Sequence, residues 1–335
     1  MRSVVIETGE GQNSLALRDV EDPLVGPDDL LVEVHAAALN RADLRRAPSH
    51  FARSESRTGP TIGGLEMAGE VIATGSKVSS FAVGDRVMAM SGGSWAEKVS
   101  IDHRLALSVP ESFDWASAAA TPISFITAHD ALVSTAALRP GESVLVRGAS
   151  SAAGLAAIQI SRDLGAGAVF GTTNSESKLT TLEALGCQPL NSGDGPLAQT
   201  IQGLTQSRGV DVVIDIVGAG VVQDNIDAAA VGGRIVCVGR LAGSQATLNL
   251  DEFSRKRIRM IGVTFRTRTP AQRIAAVALF REQMLPRLES GALSPVIDRS
   301  FPLAAIEEAE SYVRENHNFG KVIIDVRSTS GRSTS

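Results

Sequence analysis

The chain has little of what would staple, metallate or anchor it. Its 335 residues include two cysteines, Cys187 and Cys237. No disulfide framework is implied, and a reducing cytoplasm is compatible with them. Cys237 lies in the apolar run from Arg234 to Gly239, where a buried strand position is expected. The five histidines, His35, His50, His103, His129 and His317, are scattered, and no C-x2-C pair exists. Zinc needs clustered Cys, His or carboxylate ligands, so no metal site is expected. There is no basic excess either. The formal net charge is -5, which removes the global field that recruits nucleic acid or an anionic membrane. The local cluster Arg255-Lys256-Arg257 with Arg259 reads as a solvated or intersubunit face. No run approaches membrane-spanning length, and only three apolar residues follow Arg2-Ser3. Neither a membrane span nor a signal peptide is expected, and a cytoplasmic location is.

What is present is a switch of period along the chain. Residues 1–123 carry short strand signals: Ser3 to Glu7, Leu15 to Asp19, Asp28 to His35, Glu70 to Ala73 and Asp85 to Ala89. This is the pattern of an antiparallel, β-rich domain. Asn40 to Arg46 suggests a short helix, and Pro48 to Gly64 is turn-rich, with the polar tip Arg53 to Thr58. Long irregular loops of this kind often carry binding sites, and equally often are plain surface.

The chain is organised around Ser143 to Gly165. An apolar run, Val144 to Val146, reads as a buried parallel strand, followed by the small-residue turn Gly148 to Gly154 and a helix. Strand, turn and helix together form the phosphate-binding unit of a doubly wound sheet. The turn lets backbone approach a diphosphate, and the helix start offers free N–H groups and a positive dipole end. The spacing is G-x-x-S-x-x-G, on Gly148, Ser151 and Gly154.

Alternation continues. Ala168 to Thr173, Val210 to Val217 and Arg234 to Val238 read as strands; Glu176 to Leu185 and Val222 to Ala230 read as helices, the second stopped at Gly232-Gly233. This predicts an α/β, doubly wound parallel sheet with ligands at the strand C-termini. Ile258 to Phe265 adds a last strand, and Ala271 to Glu289 a long amphipathic helix. Pro295 to Phe301, Leu303 to Arg314 and Gly320 to Val326 then give strand, helix, strand. The expected organisation is a β-rich domain over 1–123, an inserted dinucleotide-binding domain over 124–266, a return to the first domain over 267–326, and a disordered tail over 327–335.

The second strand of the inserted domain bears on the choice of nucleotide. An acid there would hold a ribose 2′-hydroxyl; a basic residue would meet a 2′-phosphate. Here the strand ends on Thr173 and Asn174, with Lys178 one turn on and Glu176 the counter-signal. NADPH is therefore expected over NADH.

With these parts in order, the chain resembles the medium-chain dehydrogenase/reductase superfamily over nearly its whole length. Zinc members carry G-H-E where this sequence has Gly64-Leu65-Glu66, which resembles the zinc-free quinone oxidoreductase branch. Ala38 to Leu44, Met284-Leu-Pro286, Pro295 to Asp298 and Gly320-Lys321 carry the same resemblance. It implies a GroES-like catalytic domain around the inserted one, and NADPH-dependent reduction of quinones. It implies that Asn40 and Thr127 lie near the nicotinamide, with Phe51 in the substrate cleft, and that Ser151, Ala152, Ala153 and Gly154 hold the diphosphate. Asn174, Lys178 and Ser192 match positions around the 2′-phosphate. Val217, Gly239, Arg240, Thr264, Phe265 and Asn318 match later cofactor contacts.

Three positions depart from the family pattern. Ser151 replaces a glycine, Phe51 replaces a cleft tyrosine, and Ser192 replaces a tyrosine by the 2′-phosphate. The single tyrosine, Tyr312, falls in the C-terminal helical segment, so no general acid is evident in the cleft. A quinone can take its protons from water; an enone needs a placed donor. Quinones are therefore the expected acceptors, with an enoyl or enone reductase, or a non-catalytic NADPH-binding sensor, as the alternatives. A homodimer is expected, mainly from the resemblance, through the edge strand Ile258 to Phe265.

Overall fold

A computed structural model describes residues 1–9, 13–45 and 60–327. The chain forms two compact units, Met1–Ile123 with Arg268–Ser335, and Ser124–Thr267. The polar tip Arg53 to Thr58, with Phe51 and Arg46, lies outside the described residues.

The first unit begins with a hairpin of β1 (Arg2–Glu7) and β2 (Ser14–Asp19). It continues with β3 (Asp29–Leu39), β4 (Glu66–Thr74), β5 (Arg86–Met90), β6 (Lys98–Asp102) and β7 (Ala106–Ser108). Side chains of β3 alternate between buried and half-buried over most of its length, as expected for a sheet packed on one core. Leu30, Val32, Val34, Met67, Val71 and Trp95 form that core. The helix expected over Asn40 to Arg46 is a single 3-10 turn, Asp43–Arg45. Helix α1 (Trp115–Ala120) is capped by the Asp114 carboxylate, which accepts from Ser117 N, and α2 (Pro122–His129) follows. The chain continues from α2 into a π-helical segment at Asp130–Thr135.

The second unit alternates strand and helix. In chain order these are β8 (Ser143–Arg147), α3 (Ala152–Asp163), β9 (Ala168–Thr173), α4 (Leu179–Ala184), β10 (Gln188–Asn191), α5 (Leu197–Leu204), β11 (Val210–Asp215), α6 (Val222–Ala228), β12 (Ala229–Cys237), α7 (Leu250–Arg255) and β13 (Arg259–Gly262). All six strands are parallel, in the order β10-β9-β8-β11-β12-β13. This is the doubly wound order, and its switch point falls between β8 and β11, where such sheets bind ligands. All of β8 and nearly all of β11 is buried, as strands covered on both faces require.

Several expectations here need correction. The glycine pair Gly232-Gly233 does not end a helix: α6 stops at Ala228, and the pair lies inside β12. The last strand is shorter than expected and ends at Gly262. Glu176–Lys178 is a 3-10 turn, with α-helix only from Leu179. Lys256 is not solvated. It is 8% exposed, and its ammonium donates to the carbonyls of Ile226, Asp227 and Ala229 at 3.0, 2.7 and 3.0 Å, closing the C-terminus of α6. Cys237 is half-buried rather than buried.

The chain then rejoins the first unit through α8 (Pro270–Glu289), β14 (Ile297–Pro302), α9 (Ile306–Arg314) and β15 (Lys321–Asp325). Strand β15 pairs antiparallel with β3 and parallel with β14, in the sheet order β14-β15-β3-β4-β5-β7, with β6 paired to β3. Arg327, expected in a disordered tail, instead forms a two-pronged pair with Glu33 at 2.8 and 3.0 Å.

Candidate functional site

The residues of the second unit expected at the site, other than Thr127, lie at or beyond the C-terminal ends of its strands. Gly148 leaves β8 with φ +77°, a conformation that favours glycine. Ser151 is the N-cap of α3: its hydroxyl accepts from Gly154 N at 3.2 Å and donates to Gly148 O at 2.7 Å. A Cβ on Gly154 would stand 2.5 Å from Gly148 O and 2.7 Å from Ala149 O. Only glycine lets the helix start this close to the strand it follows. The half-buried Ala152 and Ala153 open α3, so their N–H groups are of the kind that lack intrahelical partners and face an anion.

Beside this turn, Thr172 of β9 holds it in place: Ala149 N donates to Thr172 O at 2.8 Å and Gly148 N to its hydroxyl at 3.3 Å. The next residue, Thr173, is a junction. Its carbonyl accepts Ser192 N at 2.9 Å, and its hydroxyl accepts Ser175 N at 3.2 Å. Ser175 O in turn accepts Lys178 N at 3.1 Å. Asn174 and Ser192 are exposed and Lys178 is half-buried, so the structure brings these three residues around one strand end.

Across the switch point stands a residue that sequence reading passed over. Asp215, the last residue of β11, is 0% exposed. One carboxylate oxygen accepts Val217 N and Gly218 N at 2.8 and 2.9 Å; the other accepts Asn225 Nδ2 at 3.0 Å. Its carbonyl accepts Val238 N and Gly239 N at 2.8 and 3.1 Å. Burial pushes the Asp215 carboxyl up, against the pull of these donors. Asp215 thus ties the loop after β11 to the loop after β12, placing Val217, Gly239 and the exposed Arg240 together. A Cβ on Gly148 would meet Val217 Cγ2 at 3.4 Å, so the β8 and β11 loops touch. Thr264, exposed, and Phe265, half-buried, follow β13, which is joined to β12 by Val263 N to Cys237 O at 3.0 Å. Thr127, half-buried, lies on α2. The sequence signal for Asp215 was a lone carboxylate inside Val212-Val-Ile-Asp-Ile-Val217.

In the first unit, Asn40 follows β3 and meets a charged pair. Lys321 Nζ lies 2.7 Å from Glu66 Oε1, with side chains 2% and 0% exposed. Asn40 Nδ2 donates to the same carboxylate oxygen at 2.8 Å, and Lys321 Nζ donates to Asn40 Oδ1 at 2.8 Å. Glu66 Oε2 accepts Ile123 N at 2.8 Å. Asp43 Oδ2 accepts Asn40 N at 2.6 Å. Burial pushes the Asp43 carboxyl well above the usual carboxylate range. Asn318 donates from Nδ2 to Gly320 O at 2.8 Å, next to Lys321. Phe51 lies outside the described residues. Neither Lys321 nor Asp43 stood out as a site residue in the sequence; the available signal was a charge opening the apolar run Val322-Ile-Ile324. Tyr312 packs against the rings of Phe301 and His317 at 5.8 and 5.5 Å.

Among the described residues, no three His, Cys, Asp or Glu side chains converge as a metal site would require. Leu65 occupies the position before Glu66, and that carboxylate is taken up by Asn40, Lys321 and Ile123. No described helix is long and apolar enough to cross a membrane.

Comparison with known proteins accords with this architecture. Residues 26–111 match the alcohol dehydrogenase GroES-like domain, and residues 152–282 match the zinc-binding dehydrogenase domain. The bovine quinone oxidoreductase-like protein 2 (Bos taurus) is 30% identical over 95% of this chain and 91% of its own. The human quinone oxidoreductase (Homo sapiens) is 30% identical over 97% of each chain. A crystal structure of an NAD-dependent alcohol dehydrogenase superposes with a TM-score of 0.85 at 30% identity, covering 97% of this chain and 100% of that one. With a GroES-like first unit, a parallel nucleotide-binding sheet in the second, and full-length quinone oxidoreductase-like relatives, this chain belongs to the medium-chain dehydrogenase/reductase superfamily, whose members bind nicotinamide cofactors.

Proposed function

We propose that this protein is an NADPH-dependent, zinc-independent quinone oxidoreductase, cytoplasmic and homodimeric. One observation carries the reading: the glycine-lined turn at Ser151 opens at the sheet's switch point, beside a strand end that offers Asn174, Lys178 and Ser192 and no acid at Thr173-Asn174. A carboxylate there would repel a 2′-phosphate; a lysine attracts it. The left-handed turn at Gly148 and the close backbone packing at Gly154 suit a diphosphate-binding turn, with Ser151, Ala152 and Ala153 completing the cradle. Val217, Gly239, Arg240, Thr264, Phe265 and Asn318 hold the rest of the dinucleotide.

When bound, NADPH supplies the hydride; the protein supplies position and electrostatics. Asn40 and Thr127 orient the reacting carbonyl and the carboxamide. Phe51 offers a stacking face to a quinone ring but no hydrogen-bond donor. The reduced quinone takes its protons from water, so this reading needs no placed acid. Among the described residues strand β13 ends its sheet, which supports pairing with a second copy.

The test is cofactor binding and turnover together. NADPH should bind more tightly than NADH, and Lys178→Ala should weaken NADPH selectively, by about tenfold if one charge-assisted contact is lost. Steady NADPH oxidation with quinones, and none with enoyl thioesters, is the expected panel result. Turnover of enoyl thioesters alone would make this an enoyl reductase; tight binding with no turnover would make it a sensor. A monomeric mass in solution would remove the dimer.

A further inference from the structure

We propose that Lys321, through its ion pair with Glu66, is a positioning residue that fixes the side-chain amide of Asn40 in one orientation. The inference rests on the reading of Asn40 as a group facing the reacting carbonyl. Its own evidence is the closed ring of three hydrogen bonds among the three side chains: Lys321 to Glu66 at 2.7 Å, Asn40 to Glu66 at 2.8 Å, and Lys321 to Asn40 at 2.8 Å.

The chemistry of the ring dictates one arrangement. An ammonium only donates and a carboxylate only accepts. The amide oxygen must therefore face Lys321 and the amide nitrogen must face Glu66; a flipped amide would set donor against donor and acceptor against acceptor. The backbone is held as well, because Asn40 N donates to Asp43 Oδ2 at 2.6 Å. An amide has two N–H donors and two acceptor lone pairs. The ring uses one of each and leaves one of each pointing in fixed directions from a half-buried side chain. The two charged partners are wholly buried, at 2% and 0% exposure. A pair so placed is a weak source of stability, since desolvation offsets most of the attraction. A buried ammonium and carboxylate that merely filled space would be replaceable by neutral side chains. One that orients an amide would not.

That difference gives the test. Lys321→Met leaves Glu66 buried without its cation and is expected to lower stability. The double variant Lys321→Met with Glu66→Gln removes both charges, and its thermal midpoint should return toward the wild-type value. The amide of Asn40 then loses the donor on its oxygen. The double variant should bind NADPH as the wild type does, measured by fluorescence titration. Its kcat with a quinone should fall by about 10- to 100-fold, the worth of one hydrogen bond to a charged group. A second readout needs no turnover. The Asn40 side-chain amide signal, identified by its loss in Asn40→Asp, should exchange its protons with solvent at least about tenfold faster in the double variant. A folded double variant with wild-type kcat and unchanged amide exchange overturns the proposal. A wild type inert toward quinones overturns the quinone reading instead, and amide exchange still decides whether Lys321 holds Asn40.

Discussion

Ser151 and Gly154 are joined by a hydrogen bond within the turn that follows β8. The Ser151 hydroxyl accepts the Gly154 amide hydrogen at 3.2 Å while donating its own to Gly148 O at 2.7 Å. A glycine at position 151, having no hydroxyl, would leave that third helical N–H open. Here it is already occupied, so the hydroxyl caps the helix and competes with any anion for the same donor.

Replacing Ser151 separates the two effects. Ser151→Ala should cost about 1 kcal/mol of stability, as loss of an N-cap does. Ser151→Gly should cost only a few tenths of a kcal/mol and should tighten NADPH binding by about threefold or more, because the freed N–H reaches the diphosphate. Chemical denaturation and fluorescence titration measure the two; an unchanged affinity in Ser151→Gly would show that the capped donor is not one the phosphate uses.

Gly154 tolerates no side chain. The atoms a Cβ would strike are backbone oxygens of Gly148 and Ala149, at 2.5 and 2.7 Å, and neither can rotate away. Gly154→Ala should cost about 2 kcal/mol or more and abolish dinucleotide binding. Calorimetric titration with both reduced cofactors checks this, and retained binding would mean the turn can open.

Asp43 predicts a pH dependence. Burial raises its folded carboxyl well above the ordinary aspartate range, so between the unfolded and folded values the native state holds more protons. Its contribution is then fully present below the unfolded value and is lost as pH rises through the folded one. Asp43→Asn should flatten that fall in stability while keeping an acceptor for Asn40 N. Denaturation of both proteins from acid to neutral pH checks the sign; parallel curves would refute it.

Lys256 and Arg255 are neighbours with opposite fates. The Lys256 ammonium satisfies three carbonyls at the end of α6 and is 8% exposed. Lys256→Met strands those acceptors and should cost about 2–4 kcal/mol. Arg255, whose side chain is 63% exposed beside Glu252, should be replaceable by Met with no change in thermal midpoint. Equal effects from the two would mean the helix end is satisfied otherwise.

These contrasts show where the sequence was readable. Ala168 to Thr173 forms a strand with the bounds its apolar, β-branched run suggested, because a strand buried on both faces leaves no room for other patterns. The edge strand β10 went unseen: Gln188-Pro-Leu-Asn191 is half-exposed and carries a proline that only an edge accepts. The short β6 and β7 and the helices α5 and α7 were likewise missed, each being only a few residues long. Lys256 looked solvated because charge usually is; its burial depends on α6 ending beside it. The phosphate turn was legible because strand, turn and helix are contiguous. The Glu66–Lys321 pair joins residues 255 positions apart and has no local signature.

The pairing of β15 with β3 has a consequence for biogenesis. On a ribosome the nucleotide-binding unit, Ser124–Thr267, emerges whole and can acquire its sheet while the first unit still waits for a strand. The ammonium that secures Asn40 comes out of the exit tunnel with that strand. A polypeptide interrupted before Lys321 would therefore contain every strand of the second unit's parallel sheet while the first unit still lacked β15 and the cation beside Asn40.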